Sequence, residues 1–521
     1  MYKLTRRIGV VNLALCACTA LVLSACGNPL RQEPTPEPAL SPTRTPVSQE
    51  EQIARVQATP TSAPKPTAES RESSATATAK PTAAATMRYD ACSKVKPNVG
   101  QRTPDLASTE GQIVYVTTDN NIVLTDPTGR KQTPITSDAF VSDNRQAGRV
   151  YQFPTFSNDG RFVAFVSLSA SEGFDGITNT VHVAPVSGSA TITDLYSTTE
   201  WNIPYLDWSP NSNHIAFLTI SRVSGAIRVV ERDGGEIAIF DTGSPTYWHW
   251  RSDSAAMVTH LGGRATTKGK ANVSVIEAKG AVKGAQAIIE ELPGAFQSPH
   301  WSPDGRHVLF AANTDGRDEL VLADAGGKPL CTLEFVEDSA YFAWSPNGKY
   351  IAVLDTAPSP PGILVPAALT VYEPSAGTSK VVHEEASMFF WSPDGEKLAV
   401  YSIVFNTTIT PLGAGVGKLG APLAQGGSPA LRIEIINVAT GNKIKVADTY
   451  PSRQFIQYFP YFDQYSRAIT PWSPDGRRLV LASISPTRET ADIAVATLNA
   501  AQTGVDLNRI AAGTIAFWSP R

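Results

Sequence analysis

The chain has 521 residues, a formal net charge of −4, and 42% hydrophobic against 18% charged residues, a balance that is ordinary for a soluble globular protein and allows two or three domains or one array of repeats. No Lys/Arg-rich block stands out, so the electrostatic footprint of a nucleic-acid binder is missing and nucleic acid is set aside as a partner.

From the N-terminus, Lys3, Arg6 and Arg7 precede an apolar run from Ile8 to Leu23. The run is too short to span a bilayer comfortably and ends in small residues, the pattern of an export signal. "LSAC" (Leu23 to Cys26) resembles a bacterial lipobox, in which cleavage removes residues 1–25 and leaves the thiol and new amine of Cys26 to be lipidated. Cys18 has a shorter apolar run before it, and Leu15 is too large for cleavage at Cys16. An ordinary signal peptide with an accidental cysteine is the alternative. The expected location is extracytoplasmic, on a bacterial cell membrane held through the lipid. Residues 26–106 form a stalk and lead-in. From Gly27 to about Thr86 the chain is mostly Pro, Thr, Ser, Ala and Glu, with no aromatic residue between Tyr2 and Tyr89, so it cannot build a core and reads as disordered. About sixty such residues span roughly 40 Å as a coil and up to about 190 Å in polyproline II form. Of the five cysteines, Cys92 and Cys331 remain for the body. Outside the cytoplasm such a pair can oxidise and pin the lead-in to the rim of the body, or stay as two separate thiols.

Residues 107–521 are repetitive. Aligned on its aromatic residue, one short motif recurs at Phe156 ("PTFSNDGRFVAFVS"), Trp208, Trp250, Trp301 ("PHWSPDGRHVLFAA"), Trp344, Trp391, Trp472 and Trp518. The copies are 42 to 52 residues apart except for one interval near 80, and a period of this length indicates propeller blades. In "SPDG", proline fixes φ, Asp or Asn bonds back to the backbone and glycine takes positive φ; an alternating β-branched and aromatic strand follows. Two further strand-like runs complete most repeats, giving four strands per unit. The last copy, "IAFWSP", supplies only an innermost strand. Its missing companions are "QIVYVTT" from Gln112, "NNIVLTDPTG" from Asn120 and "KQTPITS" from Lys131. The expected fold is therefore all-β: an eight-bladed propeller, seven blades being the alternative count, closed by N- and C-terminal strands in one sheet that leave no exposed edge at the join.

The "WSPDG" copies at Trp301, Trp391 and Trp472, with "WSPNG" at Trp344, resemble the repeats of TolB-like propellers and of the propeller domains of prolyl-oligopeptidase and dipeptidyl-peptidase enzymes. The resemblance covers some 410 residues and implies a non-cytoplasmic propeller that binds something; the fold alone implies no particular function. TolB has six blades and an N-terminal α/β domain, for which the stalk leaves no room. The peptidases carry catalysis on a separate hydrolase domain, and no GxSxG is present here.

In such a meander the motif turns share one face, while the long segments from Ser169, Thr356, Ile403 and Asp448 fall on the other, where variable loops on a rigid scaffold usually bind. The last segment holds Tyr450, Phe455, Tyr458, Phe459, Tyr461, Phe462 and Tyr465 within sixteen residues. With Asp463, Gln464 and Arg467 these rings are expected to form a recognition patch for a peptide, glycan or partner protein; the alternative is that they pack down and cap a blade. Trp201 is a second candidate on the same face. Asp207, His249 and His300 hold equivalent places in three successive copies, where two imidazoles and a carboxylate form a weak candidate metal set or a polar channel lining. No nucleophile, base and orienting acid share a readable motif, and no cofactor is called for. The reading is a lipid-anchored binding or scaffolding propeller; the alternatives are a hydrolase or lyase with a site at the channel mouth, or the propeller partner of a separate peptidase.

Overall fold

The computed structural model describes residues 87–521 except 102, 104–109, 143–146, 172–175, 189–190, 223, 264–270, 296, 337–338, 357–365, 406–429, 459–460 and 485–489. Cys26, Phe459 and most of the long segments after Thr356 and Ile403 lie outside the described residues.

The sequence motif becomes a turn with a fixed internal circuit. In six copies a buried serine (Ser157, Ser209, Ser302, Ser345, Ser392 and Ser473) donates its hydroxyl to the Asp or Asn two residues on, and accepts the amide five residues on. The αL position is glycine in five of them, for example Gly305 at φ 69°. Ser212 and Ser254 take it in the Trp208 and Trp250 copies at φ 63°. A serine there is strained relative to glycine, but its hydroxyl gains a use: Ser212 accepts the amide of Asp159 and Ser254 that of Asn211, linking the turns of successive blades. The motif tryptophans wedge between sheets. Trp208, Trp391 and Trp472 each donate the indole N–H to a carbonyl on the strand that carries the motif aromatic of the preceding blade, at 3.1 to 3.2 Å.

These units give eight antiparallel sheets. Blade 1 runs, from the axis outward, through Ile515–Trp518, Ile113–Val116, Ile122–Thr125 and Gln132–Pro134. Blade 2 begins at Gly148–Phe156 and carries an extra innermost strand, Phe140–Val141. Blades 3 to 7 begin at Asn202–Trp208, Thr246–Trp250, His300–Trp301, Ser339–Trp344 and Met388–Trp391, and blade 8 consists of Arg478–Ile484, Ala491–Leu498 and Val505–Ala512. The innermost position of blade 8 is reduced to a bridge between Trp472 and Leu479. Closure is as the sequence requires: Ile113, Val114, Tyr115 and Val116 pair with Trp518, Phe517, Ala516 and Ile515. Gln112 and Ser519 then exchange backbone and side-chain hydrogen bonds beyond the strand end.

The lead-in lies on the rim of blade 5. Arg88 N–H donates to Glu319 and the Tyr89 hydroxyl to Glu291. Ala91 bridges Thr332 in parallel, and helix α1 (Cys92–Val95) starts at a disulfide joining Cys92 to Cys331 on the outermost strand, Pro329–Val336. Gly100 N–H then reaches Asp304 in the motif turn of blade 5, and Glu110 pairs with Arg478 of blade 8.

The Cys92–Cys331 bond spans a sequence separation of 239, and removing such a crosslink costs about 5 kcal/mol in the chain-entropy account. Reductant is therefore expected to lower the midpoint of denaturant unfolding by a corresponding amount, read with the same fluorescence transition in oxidised and reduced protein.

Candidate functional site

The aromatic segment enters the ring rather than decorating it. Helix α2 (Arg453–Tyr458) is capped by Ser452, whose hydroxyl accepts the Phe455 amide at 3.0 Å, a standard way to satisfy a free helical N–H. Helix α3 (Phe462–Tyr465) follows. Together they plug the axis on the face of the long loops and touch every other blade. Tyr458 packs edge-on to Phe517 of blade 1 and Phe153 of blade 2. Tyr465 packs on Phe153 and on Tyr205 of blade 3. Tyr461 meets Tyr247 of blade 4, Phe462 meets Tyr341 of blade 6 and Phe389 of blade 7, and Phe455 meets Tyr401 of blade 7.

Polar groups fix the plug's orientation. The Gln464 side chain donates to the Trp248 carbonyl at 3.0 Å and accepts the Trp248 amide and the Ser298 hydroxyl; its own carbonyl accepts the Tyr205 hydroxyl. Asp463 accepts the Ser298 amide at 2.9 Å. Arg467 donates to the carbonyls of Trp248 and Ser298 at 3.0 and 3.2 Å. Phe462 and Gln464 are 1% exposed, and Tyr458, Asp463 and Tyr465 are also buried. This corrects the expected exposed patch: Tyr458, Phe462, Asp463, Gln464 and Tyr465 are consumed in filling the channel, while Phe455, Tyr461 and Arg467 are half-buried against it. Seven flanking blades offer a ready-made apolar and carbonyl-lined socket, and rings buried there gain more than rings left in water. Trp201 is half-buried in the connection between blades 2 and 3.

Past the plug, toward the motif turns, the position before each motif aromatic divides the channel wall in two. Blades 2 to 5 place Thr155, Asp207, His249 and His300 there; the remaining blades place Ala343, Phe390, Pro471 and Phe517. His249 and His300 stack with centroids 4.2 Å apart and planes 15° from parallel. His249 Nδ1 accepts the Trp301 amide at 2.9 Å, and His300 Nδ1 accepts the Trp344 amide at a longer 3.5 Å. Each imidazole thus ties one blade to the next. Burial holds both rings well below the ordinary imidazole value, and Arg467 opposes their protonation further. A neutral ring whose Nδ1 is an acceptor carries its hydrogen on Nε2, so Nε2 has no lone pair for a metal while that tie stands. Among the described residues no three His, Cys, Asp or Glu side chains converge as a metal cluster. Burial pushes the Asp207 carboxyl up to about 7, against the pull of Arg467. Burial also brings the Arg467 guanidinium down to about 10, still a cation near neutrality. The arc can donate through two imidazole N–H groups and exchange a proton at Asp207.

One constellation escaped the sequence reading because it crosses three strands. In blade 2, His182 bonds Asp194 through Nδ1 at 2.7 Å and Ser167 through Nε2 at 2.8 Å. The distances are those of a hydrolytic triad. The surroundings are not: Ser167 is 3% exposed and sits mid-strand with paired neighbours on both sides, and Phe165 stacks on the imidazole. Backbone committed to two ladders leaves no oxyanion donors, so the trio ties three strands together.

No family model and no curated protein matches the chain. Among solved structures, it is similar to a eukaryotic initiation factor (12% identity, TM-score 0.44, covering 79% of this chain and 99% of that one). It is also similar to an oligogalacturonate lyase from Vibrio parahaemolyticus (14%, 0.42, 78% and 98%) and to TolB from Acinetobacter baumannii (14%, 0.32, 70% and 84%).

Two outcomes are expected. Gln464→Ala strands the Trp248 and Ser298 groups inside the plug and should cost about 2 to 4 kcal/mol of unfolding free energy, measured by denaturant titration. Asp207 holds its proton to about pH 7 when folded and only to its ordinary 3.8 when unfolded. Folding takes up a proton in that window, so this group's contribution falls as pH rises through it. Asp207→Asn should therefore gain stability relative to the parent by up to about 1.4 kcal/mol per pH unit between roughly pH 4 and 7, read from paired melts across that range.

Proposed function

We propose that this chain is a lipid-anchored, extracytoplasmic propeller that captures a protein or peptide partner on its loop face. The carrying observation is where the exposed large apolar side chains sit. Among the described residues they fall into two groups. Ile239, Val282, Ile288, Leu330 and Val381 belong to outermost strands, with Val95 on α1 beside the rim. Phe140 (54% exposed), Val141 and Phe405 (66%) belong to the loop-face connections of blades 2 and 7, and Ile456 (51%) to helix α2 of the plug. The face of the motif turns presents none of them. Apolar groups held in water on a rigid face favour a partner that covers them.

The closed ring and buried plug supply that rigidity, since the plug fills the axis with rings and hydrogen bonds instead of leaving it as a passage. Anchoring and export rest on the charged, apolar and lipobox segments at the start of the chain. The disulfide suits a compartment where thiols oxidise. Trp201, on the same face, is a further contact for the partner.

Phe405→Asp combined with Ile456→Asp is expected to reduce partner recovered by cross-linking and affinity capture from intact membranes at least tenfold, with the thermal transition unchanged. Undiminished capture would place recognition elsewhere.

A further inference from the structure

The lead-in reaches blade 5 before it reaches its own sheet. Between Cys92 and the closing strand Ile113–Val116 lie twenty residues, held at described points by Gly100 on Asp304, Glu110 on Arg478 and Gln112 on Ser519. The closing strand itself is joined to Ile515–Trp518 by four register pairs. A pull arriving from the N-terminal side would, without a crosslink, run along these few hydrogen bonds and straight into the pair that closes the ring. Each such bond contributes only about 1 kcal/mol net.

We propose that the Cys92–Cys331 bond is a force clip, diverting tension from the N-terminal segment into the rim of blade 5 and away from the closing pair in blade 1. This rests on the tethered reading above, since tension needs an anchor. Three features fit the role. The bond lies upstream of the closing strand, so a covalent path intercepts the load first. It ends on Pro329–Val336, an eight-residue strand joined to its neighbour Arg317–Asp324 by six register pairs. Its flanks are built in: Arg88 N–H and the Thr332 hydroxyl occupy the two oxygens of Glu319, which is 1% exposed, and Tyr89 donates to Glu291 at 2.6 Å. Stripping the lead-in away would leave two buried carboxylates short of donors, so the strap resists peeling even beside the disulfide.

The test is single-molecule pulling on the full chain, with one handle at Ser48 in the stalk and the other at Ser187, an exposed turn residue of blade 2. Between these points the chain runs through the closing strand. The oxidised protein, the same tether after dithiothreitol, and C92S/C331S are compared. The expected result is a first opening force at least halved in both unclipped forms. Equal opening forces in clipped and unclipped molecules would overturn the proposal. The same-tether comparison decides the matter should the double variant fail to fold. The readout requires no lipid, so failure of the clip is separate from failure of anchoring, which is read as absence of acylation at Cys26.

Discussion

The pairing of Ile113–Val116 with Ile515–Trp518 sets the conditions for everything inside the ring. Among the described residues adjacent blades share no strand ladder; tryptophan wedges, turn-to-turn hydrogen bonds and packing between faces hold them side by side. Such contacts fix the angle between neighbours but not the sum of the angles. Only the join at blade 1 turns a curved stack of sheets into a circle of fixed bore, with Ile113, Val114, Ile515 and Phe517 buried at the seam. The plug depends on that bore, because Tyr458, Phe462 and Tyr465 reach rings on opposite sides of the axis at the same time.

The interior is unequal around its circumference. Asp207, His249 and His300 line one arc and Ala343, Phe390, Pro471 and Phe517 the other, although the fold would accept apolar residues throughout. Burying titratable groups costs free energy that hydrophobic replacements would not. Part of that cost is offset locally, since each imidazole accepts an amide that the neighbouring blade would otherwise leave unpaired at its innermost edge. Arg467 reaches from the plug toward the same arc and bonds the two carbonyls beside it. Arg467 therefore couples the plug electrostatically to Asp207, His249 and His300 on the wall.

The repeat and the closure were legible because both are written in local chemistry: serine, proline, Asp or Asn and glycine at fixed spacing, and two strand fragments that complete each other. The destination of the 450–467 segment was not legible. Its aromatic residues have no period, and what decides between an exposed patch and a filled channel is the set of rings and carbonyls on seven other blades, tens to hundreds of residues away. His249 and His300 could be placed on the channel wall from the motif, but their tautomer is set by the amides of Trp301 and Trp344 on neighbouring blades, which no spacing reveals. The cysteine pair stayed open for a similar reason: the parallel bridge between Ala91 and Thr332 brings the two residues together, and nothing local announces it.

The plug also bears on how such a molecule can change over generations. Repeat arrays commonly drift by duplicating or losing whole units, and a hollow ring tolerates this by widening or narrowing. Here one insertion, shaped to a single diameter and touching every other sector, would rattle in a larger circle and collide in a smaller one. Each sector meets a different side chain of the stopper, so the copies, alike in their motif, are not interchangeable around the axis.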